Sequence, residues 1–370
     1  MLLLLNILIV SFLGLHFVFT KVVINGLKKN ENTLKQKDNH SVSVLIAARN
    51  EEANIIQLLD SINKNIFSKS RFEVIIVDDH SEDQTSSIVN KWIVNHGTTN
   101  VTLISAEGIG KKKALKEGLK ICKNEIILQT DADCIVPETW IESMTSLFVK
   151  PDVQMVAGPV QLDPLTNTFE KLQGLEFSSL IASSIGLSQK GWSIMANAAN
   201  LAYLKSSREH LVFNEKSESG DDVFFIQHLA KKAPESIVYL STNASLVQTK
   251  PSATIIDFLN QRARWASKTS EYPDLKGKLV ALYVLLLNII SIAVIANLLS
   301  GTDDWILSLS FLITRFLLDF SILKLYSITT LKKSPNTKGV ILLSLIYPLY
   351  ILSVMAVVLF GKTNWKGRDL

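Results

Sequence analysis

Short apolar runs rich in β-branched residues recur along the first half of the chain, each followed by polar turn residues and a segment with helical spacing. Residues 42–48, 72–77, 101–104 and 125–128 read as four strands, with a helix over 114–121 before the last of them. Ser81 and Gln84 have the spacing of a capping box and predict a helix starting directly after Asp78 and Asp79. Pro137 suits the first turn of another helix, reaching Phe148. Strands alternating with helices predict an α/β fold built on a mostly parallel, doubly wound sheet, in which ligands bind beyond the carboxyl ends of the strands.

The two ends of the chain are patterned differently. Residues 2–20 form an uncharged run of spanning length without a small-residue cleavage site, which predicts a retained anchor. Residues 279–299, 305–326 and 340–360 are three further candidate spans. The expected domains are therefore an anchor over 1–21, a globular domain over 40–270 and a membrane region over 278–362. Lys21, Lys28, Lys29, Lys35 and Lys37 follow the first run, and Lys332, Lys333 and Lys338 separate the last two. By the positive-inside rule both flanks are cytoplasmic, giving a multi-pass protein of the inner cell membrane with a cytoplasmic globular domain. Asp303 and Asp304 suit the outer side, whereas Lys362, Lys366 and Arg368 conflict with a tail on that side. Arg315 and Asp319 stand four apart within a span, the spacing of an intramembrane pair.

Composition supports this division. Hydrophobic residues make up 47% of 370 and charged residues only 19%, more apolar than an ordinary soluble domain. A formal net charge of +4, spread along the chain, argues against nucleic acid and is met by a membrane-facing basic surface. Cys122 and Cys134 lack metal or redox spacing and read as core thiols of a reducing compartment.

Acidic residues fall where the strands should end. Asp131 and Asp133, one residue apart, point the same way if the chain is extended and offer hard oxygen ligands suited to Mg²⁺ or Mn²⁺ on a diphosphate, although the same spacing is common in turns. Asp78 and Asp79 can accept hydrogen bonds from a base or ribose, or complement a helix dipole. Lys111 opens a basic run at a helix start, where it can meet phosphate or simply be solvated. Asp221 and Asp222 precede a helical segment; either caps it, or Asp222 acts as a general base toward an acceptor hydroxyl. Gln261, Arg264 and Trp265 share one helical face just before the later spans, as headgroup anchors or as a guanidinium and indole for a diphosphate and a sugar.

Taken together, Ala48-Arg49-Asn50-Glu51-Glu52, Val77-Asp78-Asp79-His80-Ser81, Gly110-Lys111 with Ala114-Leu115, Asp131-Ala132-Asp133, Asp221-Asp222 and Gln261-x-x-Arg264-Trp265 resemble the membrane-bound family 2 glycosyltransferases, over about residues 42–268. The resemblance implies a GT-A nucleotide-sugar-binding domain and an inverting, metal-dependent transferase using a nucleotide-diphosphate sugar, usually a UDP-sugar. It places Ala48, Glu51, Asp78 and Lys111 at the nucleotide and Asp79 on the base. It also puts Asp131 near sugar and diphosphate, Asp133 on the metal, Asp222 as the base, and Gln261, Arg264 and Trp265 over diphosphate and acceptor. The family more often carries Glu-Asp at 221–222, which keeps Asp221 a second candidate, and a glycine-rich segment in place of Asn197-Ala198-Ala199-Asn200. Residues 169–187, rich in Leu, Phe and Ser, suit core packing, the membrane surface or an acceptor entrance. The leading expectation is transfer of one sugar to a lipid or lipid-linked acceptor at the cytoplasmic membrane face. The alternatives are a processive polysaccharide synthase and a non-catalytic membrane scaffold.

Overall fold

The computed structural model describes residues 2–29, 40–97, 100–209, 221–301, 305–361, 364–365 and 368–369. Lys35, Lys37, Gly220, Asp303, Asp304, Lys362 and Lys366 lie outside the described residues, as do the side chains of Asp221 and Arg368. The chain forms two compact units, one of residues 30–163 and 193–250, the other of residues 1–29, 164–192 and 251–370.

The first unit is the α/β unit. Its strands are β1 (Val42–Ala48), β2 (Phe72–Asp78), β3 (Asn100–Ser105), β4 (Ile126–Asp131), β5 (Met155–Ala157), β6 (Val160–Leu162), β7 (Leu201–Leu204), β8 (Ile237–Tyr239) and β9 (Val247–Thr249). Seven make one sheet in the order β3-β2-β1-β4-β7-β5-β8, and β6 pairs with β9. β3, β2, β1 and β4 are parallel, whereas β7 runs antiparallel to both β4 and β5. The sheet is thus mostly parallel as the four alternating runs predict, with one reversed strand. β1 and β2 are buried on both faces, which explains why they read as continuous apolar runs rather than alternating ones. The helices are α2 (Ile55–Asn63), α3 (Thr85–His96), α4 (Lys111–Ile121), α5 (Trp140–Thr145), α7 (Lys205–Glu209) and α8 (Asp221–Lys232).

Local differences from the sequence expectation have local causes. The Ser81–Gln84 capping box does not form: the Ser81 hydroxyl donates to Asp78, and Asp83 instead accepts from the Thr85 N–H at 2.9 Å, so α3 starts three residues late. The helix expected from Pro137 shortens to α5 and continues as a 3₁₀ turn over Ser146–Val149. Asp131 ends β4 but Asp133 does not extend it, because Cys134 N–H closes a turn on Asp131 O at 3.1 Å. Both cysteines are buried and free, as expected, and burial pushes the Cys122 thiol up to about 12.

The second unit is helical: α1 (Leu2–Lys29), α6 (Thr168–Ser188), α9 (Ile255–Ser267), α10 (Leu275–Leu299), α11 (Trp305–Tyr326) and α12 (Thr337–Phe360). Four stretches, Leu3–Lys29, Leu275–Leu299, Trp305–Leu331 and Thr337–Phe360, are long and apolar enough to cross a membrane. Ile9, Leu287, Ile290, Val294 and Phe311 form an inner core, while Leu3, Ile7, Val10, Leu282, Ile313, Leu345 and Leu349 stay outward, an arrangement suited to lipid rather than water. Residues 164–192 and 251–270, which the sequence groups with the globular domain, pack with these helices.

The intramembrane pair is present and larger than two residues. Arg315 Nε lies 3.6 Å from Asp319, and its other nitrogens bond Ser291 and, at 2.8 Å, Asn288 of α10. Asp319 also lies 3.2 Å from His16 Nε2, whose Nδ1 is 2.6 Å from the Tyr283 hydroxyl. Three helices therefore share one buried polar network, which removes the cost of isolated charges in an apolar surround.

A second fastening is steric. α1 crosses α6 where Gly26 faces Gly186, and a Cβ on Gly26 would fall 1.9 Å from the Gly186 carbonyl oxygen. Backbone cannot yield as a side-chain tip does. Gly26→Leu is expected to destabilise the helical unit by about 1–3 kcal/mol, measured as an earlier loss of monodisperse detergent-solubilised protein on heating; an unchanged midpoint would contradict this crossing.

Candidate active site

The carboxyl ends of β1, β2 and β4 meet on one edge of the sheet, and the order β3-β2-β1-β4 puts the reversal of strand order between β1 and β4, which are themselves parallel. Two loops leaving this edge are laced together. Arg49, buried after β1, donates from Nη1 to the carbonyls of Asp79 and His80 at 2.9 Å each. Asn50 Oδ1 accepts from Glu82 N–H at 2.8 Å, Ser81 accepts from Asn50 N–H at 3.0 Å, and Glu51 N–H donates to Thr85 at 2.8 Å. Asn50 and His80 both adopt left-handed backbone, with φ of 52° and 57°, a conformation uncommon without glycine and held here by that lacing.

Each sequence-predicted residue can now be placed. Ala48 ends β1 and its carbonyl accepts from Asp79 N–H at 2.8 Å. Glu51 is buried and takes the Asn54 amide at 2.7 Å. Asp78 is held by Ser81, so its carboxylate shapes the turn. Asp79 is 1% exposed and accepts from Gly110 N–H at 2.8 Å. Gly110 has φ 105°, which an L side chain rarely adopts, and this backbone turns the chain so that α4 starts beside Asp79.

Lys111, the first residue of α4, reaches Asp131 at 2.5 Å. Loss of water by itself would lower the Lys111 pKa; Asp131, with help from Asp222 and Asp133, outweighs it and holds the ammonium above its ordinary value. The cation at the helix start, unfavourable to the helix dipole, is thus matched by carboxylates from elsewhere in the fold. Sequence spacing could not show this, because twenty residues separate the pair.

Asp133 lies in the turn after β4 and accepts from the Thr249 hydroxyl at 3.3 Å. A turn, not an extended strand, joins it to Asp131. Asp222, in the first turn of α8, accepts from Ala198 N–H at 3.0 Å and Val223 N–H at 2.9 Å. Burial pushes the Asp222 carboxyl up, Ala198 and Lys111 pull it down, and Asp131 pushes it up again; the net direction is upward. Asp222 is therefore electrostatically coupled to the Asp131–Lys111 pair.

The segment holding Asp222 is itself fixed by residues that carry no motif. Asn200, fully buried, accepts from Trp140 Nε1 at 2.9 Å and donates to the carbonyls of Pro159 and Ser245, both at 2.7 Å. Thr130 of β4 donates to Ala199 O at 2.8 Å, so Ala198 is tied to the strand that ends in Asp131. Two asparagines in the Asn197–Asn200 stretch were the available sequence signal.

Among the described residues no group of three or more His, Cys, Asp or Glu side chains is gathered for a metal ion. Asp131 and Asp133 fit a divalent cation as a partial set: both are half-buried hard-oxygen donors, and Mg²⁺ commonly takes one or two carboxylates, completing its shell with water and substrate phosphate. Gln261, Arg264 and Trp265 lie on α9, in the helical unit, each half-buried.

Residues 43–210 match the family model described as glycosyl transferase family 2. This segment is a family 2 glycosyltransferase domain. The chain is 27% identical over 237 residues to the beta-monoglucosyldiacylglycerol synthase of Trichormus variabilis, covering 61% of this chain and 48% of that protein. It is 24% identical over 300 residues to the poly-beta-1,6-N-acetyl-D-glucosamine synthase of Staphylococcus epidermidis, covering 74% and 68%. The chain thus spans about half the length of the first of these relatives. Among solved structures, a mannosyltransferase from Pyrobaculum calidifontis, in complex with GDP-Man and Mn²⁺, aligns over 97% of this chain and 99% of its own with a TM-score of 0.62 and 18% identity. At that identity the likeness shows the fold alone, and the mostly parallel α/β unit has the GT-A fold.

Proposed function

We propose that this family 2 glycosyltransferase moves one sugar from a nucleotide-diphosphate sugar, a UDP-sugar in the first instance, to a lipid or lipid-linked acceptor at the cytoplasmic face of the inner membrane. The observation that carries it is the Lys111–Asp131 ion pair at the sheet edge where such folds bind nucleotides, with Asp222 tied to the same strand through Ala198, Ala199 and Thr130. Four apolar helices in the same chain support a membrane acceptor. Lys28 and Lys29, at the carboxyl end of α1, support a cytoplasmic catalytic face.

Asp131 and Asp133 would hold Mg²⁺ or Mn²⁺ with the donor diphosphate. A cation there supplies positive charge to the departing diphosphate. Lys111 adds a second positive group beside Asp131, and Asp79 with Gly110 shapes the base end of the cleft. Asp222 takes the proton of the acceptor hydroxyl as its oxygen bonds the anomeric carbon and the bond to diphosphate breaks, which inverts the anomeric configuration. Gln261, Arg264 and Trp265 are assigned to diphosphate and acceptor.

The upward shift of Asp222 has a pH consequence. A base works only when ionised, so the acidic limb of kcat should lie above the ordinary Asp value of about 3.9. Protonation of Asp222 also favours the folded state: that contribution is full below the ordinary Asp range and is lost as pH rises through the raised value. A kcat profile flat from pH 7 down through the ordinary Asp range would contradict the first, and an unfolding free energy that does not fall for this group as pH rises through the raised value would contradict the second.

The direct test supplies purified protein with Mn²⁺ or Mg²⁺, UDP- and GDP-sugars and membrane lipid extract. Release of nucleoside diphosphate with label in the lipid phase is expected; label confined to free sugar would refute the acceptor assignment. The similarity to a polysaccharide synthase favours a second reading, processive synthesis. A ladder of long products would establish it, and a single addition would exclude it.

A further inference from the structure

Arg262 sits between the motif residues Gln261 and Trp265 yet is buried, with 5% of its side chain exposed, and it faces Glu176 of α6, 4% exposed. Its Nε lies 3.1 Å from both Glu176 oxygens and its Nη2 lies 2.6 Å from one of them. The Tyr350 hydroxyl, from α12, donates to the same carboxylate at 3.0 Å. With Nε and Nη2 committed to Glu176, the planar fork leaves Nη1, which donates to the Gln261 side-chain oxygen. The guanidinium carbon lies 4.4 Å from the Trp265 ring centre and 4.7 Å from that of Phe258.

An ion pair that served only to join helices would need no contact with the motif. This one touches both of its neighbours there. The bond from Nη1 engages the Gln261 oxygen and so reserves its NH₂, a donor suited to phosphate or sugar oxygens, for other partners of this half-buried residue. The guanidinium face fixes the plane of the Trp265 indole, which is also half-exposed.

We propose that Glu176, Arg262 and Tyr350 are positioning residues for the transfer reaction: they fix the orientations of the Gln261 amide and the Trp265 indole. This rests on the assignment of Gln261 and Trp265 to substrate made above. The three positions are spread over 174 residues, and none was singled out for this role by the motif spacing.

A double-mutant cycle on the full-length, detergent-solubilised protein tests it, with kcat from nucleoside diphosphate release and the thermal midpoint as readouts. Glu176→Gln keeps the shape and removes the charge that holds the fork. It is expected to lower kcat about tenfold in the otherwise unchanged protein, and less than about twofold when Gln261→Asn and Trp265→Phe are already present. An equal loss in both backgrounds, or no loss in the first, would overturn the positioning role while leaving the substrate assignment intact. If the Gln261→Asn, Trp265→Phe protein itself turns over like wild type, the substrate assignment fails, and the positioning role with it. Tyr350→Phe removes a single oxygen from the Glu176 shell and gives the same comparison should Glu176→Gln not fold.

Discussion

Asp222→Asn is expected to lower turnover by on the order of a hundredfold or more, because a positioned general base contributes roughly 10²–10⁴, while nucleotide affinity stays within a few-fold of wild type. On the proposed roles, Asp222 serves the acceptor and the Asp131–Lys111 pair the donor, so the two effects separate. Asparagine keeps one oxygen, which can still accept from Ala198 or Val223 N–H, so α8 retains part of its first-turn anchoring. Product release with each single turnover resolved, alongside UDP titration, is the measurement. Turnover within about threefold of wild type would show that another group, Asp221 foremost, is the base.

Asp133→Ala should produce the second large effect, and on a different observable. Removing a hard-oxygen donor weakens the metal-dependent part of nucleotide binding; since even partners of metal ligands cost about 10–100-fold when lost, a direct ligand should cost at least about tenfold. Calorimetry of UDP with and without Mn²⁺ reads this directly. The wild type should show a large metal-dependent gain in affinity and the variant little or none. An unchanged gain would remove Asp133 from the metal shell. Thr249, which bonds Asp133 at 3.3 Å, makes an independent check, because Thr249→Val should lower the same gain by less.

The strands that carry this site were legible because buried parallel strands must be continuously apolar: residues 42–48 and 72–77 coincide with β1 and β2 to within one residue. The four long apolar helices were legible for a similar reason, since a lipid surround demands unbroken apolar length. What sequence could not supply was convergence. The Lys111–Asp131 contact, the lacing of Arg49 to Asp79 and His80, and the Asn200 hub all join residues twenty to sixty or more positions apart. Turn chemistry misled at Ser81, whose hydroxyl donates to Asp78 instead of accepting from a helix N–H. Asp131 and Asp133 were expected to point the same way from an extended chain, but the strand ends at Asp131 and a turn closed by Cys134 N–H follows it.

The first helix looks from its hydropathy like a removable leash, and the bonds of His16 to Tyr283 and its approach to Asp319 make it something else. Deleting it to obtain a water-soluble enzyme would leave Asp319 with Arg315 alone, take the partner from Tyr283 and uncover the Gly186 backbone of α6. Expression strategies that trim this chain to its catalytic half should therefore expect insoluble material, and those that keep residues 2–29 should not.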